Sequence, residues 1–253
     1  MLNYVDVRHN KSTLIDLDMC LNCALSLNII KYSLRDTEMK LIPALLPRLI
    51  EAVADIIEKN AEEVTALDQA IGDGDHVINL QRGIHALMAQ RDELSRLDWV
   101  AAWQKIGMTL MSTVGGASGS LYGTLFITLS KAAREQPLNL ESLADIFSQG
   151  VDAVKHRGRA DAGEKTMLDV LIPVADYLRT AAADSVALPE VLENIAHVAI
   201  AGMESTRDML ATKGRAAFLL ERTLGHIDAG AKTSQLMICA IVGVLSEQLT
   251  TPA

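Results

Sequence analysis

Apolar residues recur at helical spacing along almost the whole chain beyond residue 38, and no run alternates in the two-residue rhythm of a strand. Leu46, Leu49, Val53, Ile56 and Ile57 fall on one stripe. Trp99, Trp103, Ile106, Leu110 and Val114 fall on a second, and Leu143, Ile146, Phe147, Val151 and Val154 on a third. Each stripe is the buried face of an amphipathic helix. Further helical runs are expected near 77–90, 120–135, 165–183, 189–211 and 233–249, with Pro173 kinking the third of these. The last, "TSQLMICAIVGVLS", is apolar on nearly all sides and should be the most buried. Aromatic residues are scarce, at 4%, while Ala, Leu, Ile and Met are plentiful, which favours packed helices over a β-sandwich. The pattern predicts one all-α domain of about eight or nine helices over residues 39–253, preceded by a less patterned arm at 1–38.

With 253 residues, 49% of them hydrophobic, the chain can bury a substantial core. A net charge of -9 argues against a general nucleic-acid binder, which would carry a basic face. No unbroken stretch of about 20 apolar residues is evident, so no membrane span is expected. The apolar segment from Met19 to Ile30 is interrupted by Asn22, Ser26 and Asn28, and Asp16 and Asp18 before it are the wrong charge for a signal peptide. A cytoplasmic protein is the expectation. Cys20 and Cys23 form a CxxC pair and Cys239 stands alone. One pair supplies only half of a structural zinc site, so thiols in a reducing compartment are the plainer reading.

Four polar, glycine-bearing segments separate the helical runs: 68–76, 113–123 ("TVGGASGSLYG"), 157–166 ("RGRADAGEKT") and 212–232 ("TKGRAAFLLERTLGHIDAGAK"). Loops as long as the last are usually functional or disordered, and its Arg215, Arg222, His226 and Asp228 do not suit a flexible linker. In an up-and-down bundle alternate connections fall at the same end, so several of these segments can meet at one rim.

The first segment, within "ALDQAIGDGDHVINLQRG", concentrates Asp68, Asp73 and Asp75. On a continuous helix Asp68 and Asp75 would nearly eclipse while Asp73 pointed about 140° away. Gly72 and Gly74 imply a break instead, and a bend can turn all three carboxylates toward one point. Left alone they would repel; a divalent cation removes the conflict. Carboxylate oxygens without Cys suit a hard ion such as Mg²⁺, and the spacing is not that of an EF-hand. A solvated acidic turn with helix-capping aspartates fits the spacing equally well. Segment 113–123 bears on that choice. Gly115, Gly116 and Gly119 free the backbone ahead of an apolar helix, and exposed N–H groups at a helix start can hold phosphate. It is neither a P-loop nor GxGxxG after a strand. In isolation it reads as a packing turn; beside three aspartates and an arginine-bearing loop, a Mg²⁺–nucleotide site is the better reading. The metal would then reconcile an acidic chain with an anionic ligand.

"LDQAIGDGDH", "GMTLMSTVGGASGSLYGT", "RGRADAGEKTMLDVLIP" and "KGRAAFLLERTLGHIDAGA" together resemble the nucleotide-binding L-type family of dihydroxyacetone kinase subunits, in the family's order, from about residue 45 to 250. The resemblance implies a barrel-like up-and-down bundle of eight antiparallel helices with the nucleotide, ADP or ATP, at one end. It implies that Asp68, Asp73 and Asp75 hold two Mg²⁺ ions on the diphosphate. It places His76 and Asn79, with Val77 and Ile78 between them, on the nucleotide, together with Ala117, Ser118 and Gly119, then Gly158 and Met167. From the long loop it adds Arg215 and the stretch Asp228, Ala229 and Gly230, with Arg215 as the candidate catalytic charge stabiliser. Lys165 and Glu221 read more simply as helix-end and surface ion pairs. Val77 replaces a common Gly, Ser120, Ala162 and Ala229 stand where Pro is usual, and Glu164 where Asp is usual; no metal ligand is lost.

By the same resemblance the ketose is held on a separate K-type subunit, and this chain supplies half of the active site. The phosphoryl donor is either exchanging ATP or resident ADP recharged by a phosphohistidine protein of the sugar phosphotransferase system, and a nucleotide subunit without a fused K domain leans toward the second. The same chemistry on erythrulose, and a nucleotide-sensing regulator without turnover, are the rival readings. No nucleic-acid or membrane partner is implied, and a homodimer is compatible with the sequence.

Overall fold

The computed structural model describes residues 42–250; the arm at 1–38 and the Cys20–Cys23 pair lie outside the described residues. Among the described residues there is no strand. Nine helices of eleven residues or more follow one another: α1 Leu46–Lys59, α2 Ala61–Ile71, α3 His76–Ala89, α4 Trp99–Thr113, α5 Gly116–Ala132, α6 Leu140–Gly158, α7 Leu168–Ala183, α8 Leu188–Ser205 and α9 Ala229–Thr250. Several boundaries have a local chemical cause. Asp98 accepts a hydrogen bond from the Ala101 amide at 2.8 Å and opens α4, and Asn139 does the same for α6 from Ser142 at 2.9 Å. Lys155, His156 and Arg157 occupy the last turn of α6, where positive charge meets the negative helix end.

Helix packing follows chain order. Helix α3 lies on α4, α4 on α5, and so on to α9, which returns to α1; α1 in turn packs on α3. Eight helices close a ring, the all-α barrel-like bundle that the sequence suggests. Helix α2 is the ninth, laid against α9 and α3. The stripes face inward as expected: Ile57, Val64, Leu80, Val154 and Val170 are 2% exposed or less, and both tryptophans are buried with ring centroids 5.4 Å apart.

The structure corrects several expected boundaries. Helix α5 begins at Gly116, so the glycines of segment 113–123 form its first turn rather than a loop before it. Helix α7 begins at Leu168 and runs on through Pro173 without interruption. Helix α8 ends at Ser205, where Thr206–Asp208 tightens into a 3-10 turn. Helix α9 starts at Ala229, and Ala216–Thr223 inside the long loop is itself a 3-10 segment. Burial in α9 is uneven: Lys232 to Leu236 are buried, while Met237 to Gly243 are only partly so. Helix α9 is long and apolar enough, by length and composition alone, to cross a membrane, but 56% of its most apolar window is buried in the bundle, so it is no evidence of a span.

Leu80 is 2% exposed in the ring's core and Met108 is 59% exposed on α4. Leu80→Ala is expected to cost about 2–5 kcal/mol of unfolding free energy through lost burial and a cavity, and Met108→Ala within about 0.5 kcal/mol, both read by denaturant titration.

Candidate functional site

Asp68 ends α2, and Asp73 and Asp75 follow in the bend before α3. One carboxylate oxygen from each lies within 4.8 Å of the others. The bend depends on Gly74: its φ is +75°, a region side chains avoid, and a Cβ there would stand 2.8 Å from Gln69 Cγ. Asp68 also accepts a hydrogen bond from the His76 amide at 3.1 Å, which ties the end of α2 to the start of α3. Arg215 Nε lies 3.0 Å from Asp73 Oδ2. One guanidinium offsets one of three negative charges, so the group retains an excess that an oxygen-seeking cation fits.

His76 joins two further segments. Its Nε2 is 2.9 Å from Thr233 Oγ1 in the first turns of α9, and its Nδ1 is 3.2 Å from Ser118 Oγ in the first turn of α5. Thr233 Oγ1 donates to the Ala229 and Gly230 carbonyls, leaving its lone pair for the imidazole. The consistent assignment has Nε2–H donating to Thr233 and Nδ1 accepting from Ser118. Burial holds the imidazole below its ordinary value of 6.5, against the opposing pull of Asp68, Asp75 and Asp73, so this neutral tautomer prevails at neutral pH.

The turn before α5 packs against Asn79. A Cβ on Gly115 would come within 2.9 Å of Asn79 Cγ, so only glycine permits the approach. No side chain caps α5 from its N-cap residue Gly115. Its leading amides, about four in any helix, are therefore available to an anionic group, at the positive end of the helix dipole.

Asp228 accepts from the Ala231 amide at 2.7 Å and opens α9. A Cβ on Gly230 would lie 3.7 Å from Met167, which brings those two expected site residues together. Burial pushes the Asp228 carboxyl up to about 7, opposed by the Ala231 N–H and by Lys165, with Asp169 and Asp68 adding to the rise. Val77, at 3% exposed, belongs to the core; Ile78 beside it is 58% exposed. Gly158 ends α6, where a Cβ would meet Leu121 of α5 at 3.4 Å.

Two expectations change here. Lys165 is not at the surface: it is 2% exposed, and its ammonium donates to the carbonyls of Thr206 and His226. Thr233 was not anticipated, although a signal existed. Lys232, Thr233, Ser234 and Gln235 open an otherwise apolar helix, and all four are buried. Lys232 pairs with Glu63 of α2 at 2.9 Å, and Ser234 meets the Tyr122 hydroxyl at 2.9 Å. Ser234 donates to the Gly230 carbonyl, so Tyr122 is the donor in that pair, and burial pushes its phenol up to about 12.

A ring of helices thus gathers acidic, glycine-turn and arginine-loop segments, with three close carboxylates, in an all-α scaffold. The DAK2 domain family matches residues 70–243, and the chain belongs to that family. It is 37% identical over 195 residues to the PEP-dependent dihydroxyacetone kinase 1, ADP-binding subunit, of Listeria innocua, across 77% of this chain and 93% of that one. It is 40% identical over 185 residues to the PEP-dependent dihydroxyacetone kinase, ADP-binding subunit, of Escherichia coli, across 73% of this chain and 88% of that one. A dihydroxyacetone kinase from C. freundii, solved in complex with AMP-PNP and Mg²⁺, has the same fold at a TM-score of 0.61 and 23% identity, over 85% of this chain and 37% of that chain.

The Asp228 carboxyl binds a proton in the folded chain over a pH range, about 4 to 7, in which the unfolded chain has released it. Folding stability attributable to this group therefore falls as pH rises through that window. Asp228→Asn keeps an oxygen to accept from Ala231 but cannot ionise. Its melting temperature should exceed that of the native chain at pH 8, with the gap closing toward pH 4. A gap independent of pH would contradict the raised value.

Proposed function

We propose that this chain is the nucleotide-bearing subunit of a dihydroxyacetone-type kinase. The observation that carries the reading is the convergence of three carboxylates, the uncapped start of α5 and the neutral His76 between them at one place in the fold. The names of the two bacterial relatives support it, since this chain matches 93% and 88% of their lengths and both are called ADP-binding.

In this reading Asp68, Asp73 and Asp75 hold two Mg²⁺ ions, and the donor set fits them: all oxygen, anionic and mutually close. Bound there, the ions supply the positive charge that a diphosphate needs and that phosphoryl transfer exploits. Asn79, Ala117, Ser118 and Gly119 line the nucleotide from α3 and α5, with His76 and Ile78 at the entrance to α3 and Val77 beneath. Gly158 and Met167 approach from the α6–α7 connection, and Asp228, Ala229 and Gly230 from the start of α9. Arg215 is the one residue given a catalytic part. Its pairing with Asp73 places it beside the acidic group, where a fixed guanidinium stabilises charge that spreads onto the transferred oxygens. His76, held neutral by burial, donates through Nε2 to Thr233 and so fixes the spacing of α3 and α9.

The ketose sits on a separate K-type subunit, and resident ADP is recharged by a phosphohistidine protein rather than exchanged for ATP. The relatives' "PEP-dependent" and "ADP-binding" names favour this over the exchanging mode. The arm at 1–38 and the kinase domain at 39–253 are separate units in this reading.

Purification without added nucleotide, followed by denaturation, should release ADP near one equivalent per chain. Turnover with a K-type subunit should then follow a phosphohistidine donor and not free ATP; an empty protein that turns over on ATP alone would overturn the resident mode. Asp73→Asn should weaken Mg²⁺-dependent nucleotide binding by more than about tenfold in calorimetry with helicity unchanged. Unaltered binding, with and without EDTA, would remove the carboxylates from the site.

A further inference from the structure

The connection between α6 and α7 does more than present Met167. Asp169, 3% exposed in the first turn of α7, accepts from the Gly163 amide at 2.5 Å and the Thr166 amide at 2.7 Å, and so fixes the intervening turn. That turn projects Glu164 and Lys165 into the long loop. Lys165 has a φ of +60°, uncommon for a non-glycine residue, and it aims a buried ammonium at two carbonyls. One is Thr206, where the loop leaves α8, and the other is His226, two residues before the loop enters α9 at Asp228.

The two strands of the loop's neck are tied further. The Asp228 amide donates to Thr206 Oγ1 at 3.1 Å and the Gly225 amide to the Arg207 carbonyl at 2.8 Å. Glu164 reaches higher, accepting from Thr212 Oγ1 at 2.9 Å and pairing with Lys213 at 3.2 Å. Beyond the neck the loop is thinly held: Phe218 is 86% and Leu220 70% exposed. The loop's two ends are thus held together at the neck. Arg215, on the far side of that neck from Lys165, is the residue that meets Asp73.

We propose that Lys165 is the clasp of this loop, a positioning residue whose ammonium bridges the departing and returning strands and thereby sets where Arg215 stands over the acidic group. Among the ties at the neck, Lys165 alone reaches both sides from outside the loop through a buried ammonium. The bond to the Thr206 carbonyl is buried and the bond to the His226 carbonyl partly so, and removing their shared donor takes a charge-assisted hydrogen bond from each, which solvent replaces less readily than it would a surface ion pair. The proposal rests on the nucleotide-site reading only for its activity readout; the closure of the loop is independent of it.

The test uses hydrogen exchange on the full chain with Lys165→Met, which keeps volume but no donor, and Lys165→Arg, which keeps charge and donors. In the Met variant, peptides spanning 210–224 should exchange at least about tenfold faster, the factor that loss of one charge-assisted hydrogen bond implies. Helices α3 to α5 should be unchanged. Tryptic cleavage after Lys213, Arg215 and Arg222 should accelerate in parallel, and Lys165→Arg should recover most of the protection. With a K-type subunit, kcat should fall by more than the KM for the phosphohistidine donor rises. Native-like exchange in the Met variant, or acceleration spread evenly over the ring, would overturn the clasp. The native chain offers a check that needs no variant: the Lys165 ammonium protons should exchange slowly enough to be seen by nitrogen NMR, and their invisibility would also overturn it. A chain that binds no nucleotide would remove the kinetic arm, and with it the functional reading, while leaving the exchange result to stand or fall alone.

Discussion

Three carboxylates held within 4.8 Å of one another repel, and the arrangement around them exists to hold them there. The main restraint is His76. Its amide fixes Asp68, and its two ring nitrogens reach Ser118 at the head of α5 and Thr233 at the head of α9. One histidine thus registers the beginnings of α3, α5 and α9 through its ring, and the end of α2 through its amide. Its neutrality is part of the design, because a charged ring would need both nitrogens as donors, and Thr233 and Ser118 would then both have to accept. Burial of the ring, which holds its proton affinity down, keeps the network in one arrangement.

The closed ring and the long loop are built differently. The ring's helices pack mainly through aliphatic stripes, and the polar ties of His76 and Ser234 sit among them near the helix beginnings. The loop from Thr206 to Asp228 has the opposite character: its neck is polar and tied, and its crest is apolar and exposed. Local stability of this kind lets a segment open and close without disturbing the domain beneath it. On the proposed reading, the asymmetry suits a metal-binding group that is held fixed and a cover that moves.

Part of this was legible along the chain. The stripes at Leu46–Ile57, Trp99–Val114 and Leu143–Val154 gave three helices and their buried faces, because a 3.6-residue period has one structural solution when a single face is apolar. The glycines at 72 and 74 announced the bend between α2 and α3, since Gly74 adopts a φ of +75° that side chains disfavour, and a Cβ on Gly72 would meet the Asp68 carboxyl carbon at 3.1 Å. Helix α2 escaped notice because its mixed "AEEVTALDQAI" buries only Val64 and Ile71. Lys165 and Asp169 were illegible for another reason: a buried charge looks like a surface charge until its partners, here main-chain carbonyls and amides, are in place.

By itself the sequence determined the helical class, the inward faces, the places where the chain must turn, and the residue types able to hold an oxygen-seeking cation, since each depends on neighbours within a few residues. Only the tertiary structure decided that α9 returns to α1, that Thr233 rather than a carboxylate orients His76, that Arg215 meets Asp73, and that Lys165 faces inward to the neck of the loop. Those contacts join residues from 41 to 157 positions apart where they are hydrogen bonds of His76 and Lys165. Pairings over such separations are selected by the closing of the ring, which no local pattern encodes.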